Sequence, residues 1–179
     1  MTDAPARPAD PGAGRARQNE IYTGGIHGRT PAVPTDFAEL ERRARKAMSA
    51  RAWAYIAGGA GEGRTMAANR AALDSWAIVP RVLRDVSARR LETELFGQRL
   101  TAPVLFAPVG AGALAHPQAD VHIGRAAAQL GLPYIFSNQG CAPMETVAAA
   151  MDEVRPGAPR WFQLYWSTDD RLVESLIAR

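Results

Sequence analysis

A chain of 179 residues that is 47% apolar and 22% charged has the makeup of a soluble globular protein long enough to bury a core. Its net charge of +3 rests on 21 basic residues of which only Lys46 is a lysine, and the arginines are scattered rather than striped, which favours charge for solubility over a nucleic-acid surface. Cys141 is the one cysteine, which excludes an internal disulfide framework and a cysteine zinc site, and no run nears the roughly 18 apolar residues of a membrane span, so no metal and a cytoplasmic location are expected.

Residues Met1–Gln18, rich in Pro, Ala, Gly and Arg, read as a disordered tail. Asn19–Pro34 sets turn formers around isolated apolar residues and reads as an extended arm, with His27 an exposed loop residue. Thr35 is the expected cap of an amphipathic helix to about Ala50, with Phe37, Leu40, Ala44, Ala47 and Met48 on one face. A short helix over Ala52–Ala57 stops at Gly58. The following GGAGEG lacks both the spacing and the preceding strand of a phosphate loop, and reads as a turn that positions Tyr55. Thr65 is the expected cap of a helix to about Ser75 that buries Met66, Leu73 and Trp76.

A small hairpin is predicted around Phe96–Gly97–Gln98, and after it the rhythm changes to strand, loop, helix. Val104–Ala107 is apolar enough for a strand buried on both faces. It ends at Pro108, and Val109–Gly110–Ala111–Gly112 leaves a nearly bare backbone before His116–Pro117 opens a helix over Gln118–Leu130. Ile123, Ala126, Ala127 and Leu130 point inward in this reading, with Gly131 as C-cap. Such a loop is either a ligand site or a plain tight turn. A second strand, Pro133–Phe136, leads through Ser137–Gly140 to helix Met144–Glu153. A third, Arg160–Tyr165, leads to a capping box at Ser167–Asp170 and a last helix. Three βα units in succession imply a parallel sheet. Three strands cannot close a barrel, so the chain reads as cut off.

These motifs, AYIAGGAGE around Tyr55, ANR, VPR, LFAPVG, LAHP and FQLYW, occur in order from about Gln18 to Arg179. Together they resemble the N-terminal portion of the FMN-dependent α-hydroxy-acid oxidising enzymes, the family of glycolate oxidase and lactate oxidase, and look closest to its lactate 2-monooxygenase side. The resemblance implies an α/β fold. It would be the N-terminal part of a TIM (β/α)8 barrel, with about three βα units in 101–179 after a helical segment and hairpin in 19–100. It also implies FMN as cofactor, with Pro108, Val109 and Gly110 against the flavin ring and Ser137 and Gln163 on its polar edge. Tyr55 would bind the carboxylate of a lactate-like 2-hydroxy acid and Tyr165 its hydroxyl, with O2 as acceptor and a tetramer as the complete enzyme. Gln139 stands where glycolate oxidase carries an aromatic. The resemblance implies a strand-end histidine as base, a place that His27, His116 and His122 do not hold in this reading, so no catalytic residue is expected in this chain. The chain would then be either an incomplete stretch of a longer enzyme or a non-catalytic remnant, at most a weak flavin binder or folding partner.

Overall fold

The computed structural model describes residues 12–179. They fall into two compact units, one ending at Ala57 and the other Gly58–Arg179. The first unit is helical: α1 (Gly12–Ile26), α2 (Phe37–Ala47) and α3 (Ala50–Ala57). Of the expected tail, residues 1–11 lie outside the described part. Residues 12–18, and the first half of the expected arm, are helical instead of irregular. Inside α1 the Arg17–Glu20 pair, one turn apart at 2.8 Å, supports the helix, and Gly28 in the left-handed region follows its end. The cap of α2 is Asp36 rather than Thr35, its carboxylate accepting the Ala38 N–H at 2.9 Å.

The second unit opens with α4 (Arg64–Asp74), capped by Gly63 at φ 73° without a side-chain bond, so Thr65 lies inside the helix. Met66, Leu73 and Trp76 are exposed, not buried: the amphipathic pattern is present, but nothing in this unit covers the face. The hairpin is β1 (Thr93–Leu95) and β2 (Gln98–Leu100). Its two-residue turn places Phe96 and Gly97 at φ 51° and 73°, a twist that suits a hairpin and that glycine supplies freely. The Phe96 ring meets the Trp161 ring edge-on at 5.7 Å.

β3 (Tyr134–Ser137) and β4 (Arg160–Gln163) pair in parallel, with Tyr134 opposite Arg160 and Ser137 opposite Gln163. The expected first strand shrinks to one parallel bridge from Phe106 to Tyr134. Pro103 and Pro108 bracket it and have no N–H for a ladder, so Val104 stays exposed. The strands thus form two separate two-stranded sheets, neither of them closed. After a short 3-10 turn over Gly112–Leu114, α5 (Ala119–Leu130) starts beyond Pro117 and ends at Gly131, φ 67°. Leu130 points outward, and Ala128 takes the inward place beside Ala127.

Helix α5 packs on α6 (Met144–Val154) at Gly124, where an added Cβ would come within 3.1 Å of both Met151 and Val147. The core beneath them is Ala127, Ala128, Tyr134, Phe136, Val147, Met151 and Ala158. α7 (Asp170–Ala178) is capped by Asp169, which accepts from the Arg171 N–H; Ser167 accepts from the Asp169 N–H, so no Ser167–Asp170 capping box forms.

Tyr134 is fully buried, and among the described residues its hydroxyl has no hydrogen-bond partner. Burial, with the charge of Asp120 nearby, pushes the phenol up to about 12. The fold therefore keeps that proton to a higher pH than the unfolded chain, whose tyrosine titrates at about 10, and stability should fall as pH rises from about 10 to about 12. Tyr134→Phe should remove this alkaline decline and gain about 1 kcal/mol at neutral pH, because an unpaired buried hydroxyl disappears. Denaturant melts at pH 7 and 11 check it. A phenylalanine variant less stable than the parent at pH 7 would mean that the hydroxyl is partnered in solution.

Candidate functional site

The parallel register carries three chain segments to the same sheet end. Ile135 N–H bonds the Phe106 carbonyl at 3.0 Å and Phe106 N–H bonds the Pro133 carbonyl at 2.9 Å, which fixes the Phe106 segment beside β3. At and just beyond the ends of these strands lie Pro108–Gly110, Ser137–Gly140, and Leu164–Tyr165 after Gln163. A parallel sheet presents its ligand-facing loops at this carboxyl end.

The loops are bound to one another. Ser137, 1% exposed, donates to the Gln163 Oε1 at 2.8 Å and accepts the Gln139 N–H at 3.1 Å. The Asn138 N–H bonds the Gln163 carbonyl, and the Ala111 N–H bonds the Gln139 carbonyl, each at 3.0 Å. Ala111 holds φ 52°, a left-handed conformation that costs a non-glycine residue about 1–2 kcal/mol and that this bond helps to hold. Gly110 is a glycine for a reason of packing: an added Cβ would stand 2.8 Å from the Gln139 Cβ. Its φ is not in the left-handed region.

Among the described residues the Gln163 side-chain N–H2 makes no hydrogen bond, while its oxygen takes the Ser137 proton. The half-buried carboxamide keeps two donors at the strand end. Val109 and Tyr165 are each 49% exposed there. Pro108, Val109, Gly110, Ser137, Gln163 and Tyr165 therefore gather at one end of one sheet. Tyr55 lies on α3 of the first unit, 61% exposed.

Asp120 went unremarked in the sequence. It is 3% exposed, and its Oδ2 accepts the Cys141 and Ala142 N–H groups at 2.7 and 3.0 Å. An acid in a first helical turn has a generic explanation in the helix dipole, so nothing in the one-dimensional pattern marks its second task. A cavity of about 420 Å³ lies elsewhere, between α6, α7 and the strands, lined by Val147, Met151, Phe162, Leu176 and Ile177 among others. It takes in none of Gly110, Ser137 or Gln163.

The second unit is thus an α/β arrangement in which fixed polar groups and the exposed Val109 share the carboxyl end of parallel strands. The family model for FMN-dependent dehydrogenases matches residues 44–179, and the chain belongs to that family, whose members are FMN-dependent α-hydroxy-acid oxidoreductases. It is 40% identical over 163 residues to an FMN-dependent alpha-hydroxy acid dehydrogenase of Penicillium citrinum, covering 90% of this chain and 40% of that protein. With an L-lactate oxidase of Lysinibacillus sphaericus it shares 41% over 146 residues, 82% of this chain and 37% of the other. A mandelate oxidase variant crystallised with 2-hydroxy-phenylacetamide superposes with a TM-score of 0.74 at 34% identity, over 82% of this chain and 42% of that one. The chain thus spans about two fifths of the length of these relatives.

The residues present fit a flavin. The ring's pyrimidine edge carries acceptors that the two free amide donors of Gln163 would suit. The buried Ser137 hydroxyl fixes that amide by giving it its proton, and the loop at Gly110 carries no side chain at that position.

Proposed function

We propose that this chain forms the flavin-facing wall of an FMN-dependent enzyme that oxidises a small, lactate-like 2-hydroxy acid to a 2-oxo acid or its decarboxylated product, with O2 as acceptor. The observation that carries the reading is the Ser137–Gln163 pair, set opposite one another in the β3–β4 register and one loop away from Gly110. On this reading Pro108, Val109 and Gly110 lie along the ring and Ser137 and Gln163 hold its polar edge. Tyr55 takes the substrate carboxylate and Tyr165 its hydroxyl, both as phenol donors that also exclude water. Bound FMN supplies the two-electron acceptor. The 101–179 stretch belongs to a (β/α)8 barrel and the complete enzyme is a cytoplasmic tetramer. Resemblance to the monooxygenase side of the family favours decarboxylation as the outcome.

A second reading, an aromatic 2-hydroxy acid as substrate, is favoured by likeness to mandelate oxidase and by 35% identity to a 4-hydroxymandelate oxidase of Amycolatopsis orientalis.

The test is titration of the 179-residue chain with FMN, followed by flavin fluorescence. Binding is expected, and Gln163→Leu should weaken it by about tenfold through loss of the amide donors. Absence of any uptake by the parent chain, or equal affinity in Gln163→Leu, would count against the assignment.

A further inference from the structure

Asp120 is a buried carboxylate to which the proposed chemistry assigns no part. It sits in the first turn of α5 beneath the Gly112 turn, where an added Cβ on Gly112 would come within 3.5 Å of its Oδ1. Both backbone N–H groups it accepts, from Cys141 and Ala142, belong to the segment that leaves β3. That same segment is fixed at its other end by Ser137, which binds the Gln139 N–H and Gln163. Between these two anchors the Gln139 carbonyl takes the Ala111 N–H and the Gln139 Cβ rests against Gly110. Gly140, between them, cannot swell, since a Cβ there would stand 2.4 Å from the Phe136 ring.

We infer that Asp120 is a positioning residue for the strand-end face: its carboxylate ties down residues 141–142 so that Gln139 closes on Gly110 and Ala111. A charged acceptor suits this task, because a carboxylate bond to two backbone donors is stronger than a neutral one and is unscreened when buried. The two loops then behave as one rigid wall. The consequence for cofactor binding rests on the flavin reading above; the geometry of the wall does not.

The test compares amide hydrogen exchange in the full 179-residue chain with that of Asp120→Asn, which keeps the size, and Asp120→Ala, which removes the acceptor. The Cys141 and Ala142 amides should exchange at least about tenfold faster in Asp120→Ala, with a smaller rise in Asp120→Asn. The decisive amide is Ala111, which Asp120 does not touch: it should accelerate too, while those of Val147 and Met151 within α6 hold their rate. Faster exchange confined to 141–142, or none at Ala111 in either variant, overturns the positioning role. Should Asp120→Ala not fold, Asp120→Asn decides by the same amide.

FMN titration of the same proteins reads the functional consequence. The Asp120 variants should bind FMN about tenfold more weakly, with a shifted long-wavelength absorption band of the bound flavin. Unchanged affinity and band alongside a loosened Ala111 would sever the wall from the flavin. No uptake by the parent chain strikes at the flavin reading itself, and exchange at Ala111 still decides the role of Asp120.

Discussion

Supplied with FMN, oxygen and lactate, glycolate or mandelate, the 179-residue polypeptide should form no 2-oxo acid above background. Removing the α-proton of a 2-hydroxy acid needs a base at the reacting carbon, and loss of a positioned general base typically costs at least about 100-fold. The three histidines have other partners. His27 follows α1 and bonds the Thr23 carbonyl at 2.9 Å. His116 precedes α5, with its Nδ1 taken by the Gln118 N–H at 3.2 Å, and His122 lies on α5 with its ring 5.0 Å from that of His116. Among the described residues neither His116 nor His122 makes a hydrogen bond with Gly110, Ser137 or Gln163, and His27 belongs to the first unit. Peroxide and 2-oxo acid appearing in equal amounts with the purified polypeptide would show that another group takes the proton and would redirect attention to Tyr165.

Gly110→Ala should destabilise the second unit by about 1–3 kcal/mol, the usual cost of forcing a methyl group into a closed contact. The methyl would meet the Gln139 Cβ, the root of a side chain rather than a flexible tip, so backbone must move. Gln139→Ala keeps that atom and should give no relief. Gln139→Gly removes it and should restore most of the loss, with a coupling between the two sites of at least about 0.5 kcal/mol. Denaturant melts of the single and double variants measure it, and additive losses would place the clash elsewhere. This contact also changes how position 110 is to be read. A methyl there presses on Gln139 first, so any effect of Gly110→Ala on cofactor binding has to be compared with Gln139→Gly before it is credited to a direct contact.

Local patterning was enough for the elements whose causes are local. Helix α6 begins at the expected Met144 and ends one residue past Glu153, because apolar spacing, a proline before it and turn formers after it agree. Gly131 caps α5 and Phe96–Gly97 turns the hairpin, since a left-handed backbone is cheapest at glycine. The family resemblance singles out Ser137 and Gln163, and the parallel register sets these two opposite one another. Pattern failed where a distant contact, or its absence, decides the outcome. The α1 stretch, with its glycines and weak periodicity, reads as irregular although it is helical. Val104–Ala107 has the composition of a buried strand, yet flanking prolines and a single neighbour leave it one bridge. Met66, Leu73 and Trp76 are spaced for burial and remain exposed. The sequence by itself therefore determined the family, the βα rhythm and the identity of the strand-end groups. Only tertiary structure decided why position 110 must be glycine and what Asp120 holds. The reason is physical: the partners of these two residues lie 29 and 21 or more positions along the chain, and only folding brings them within contact distance.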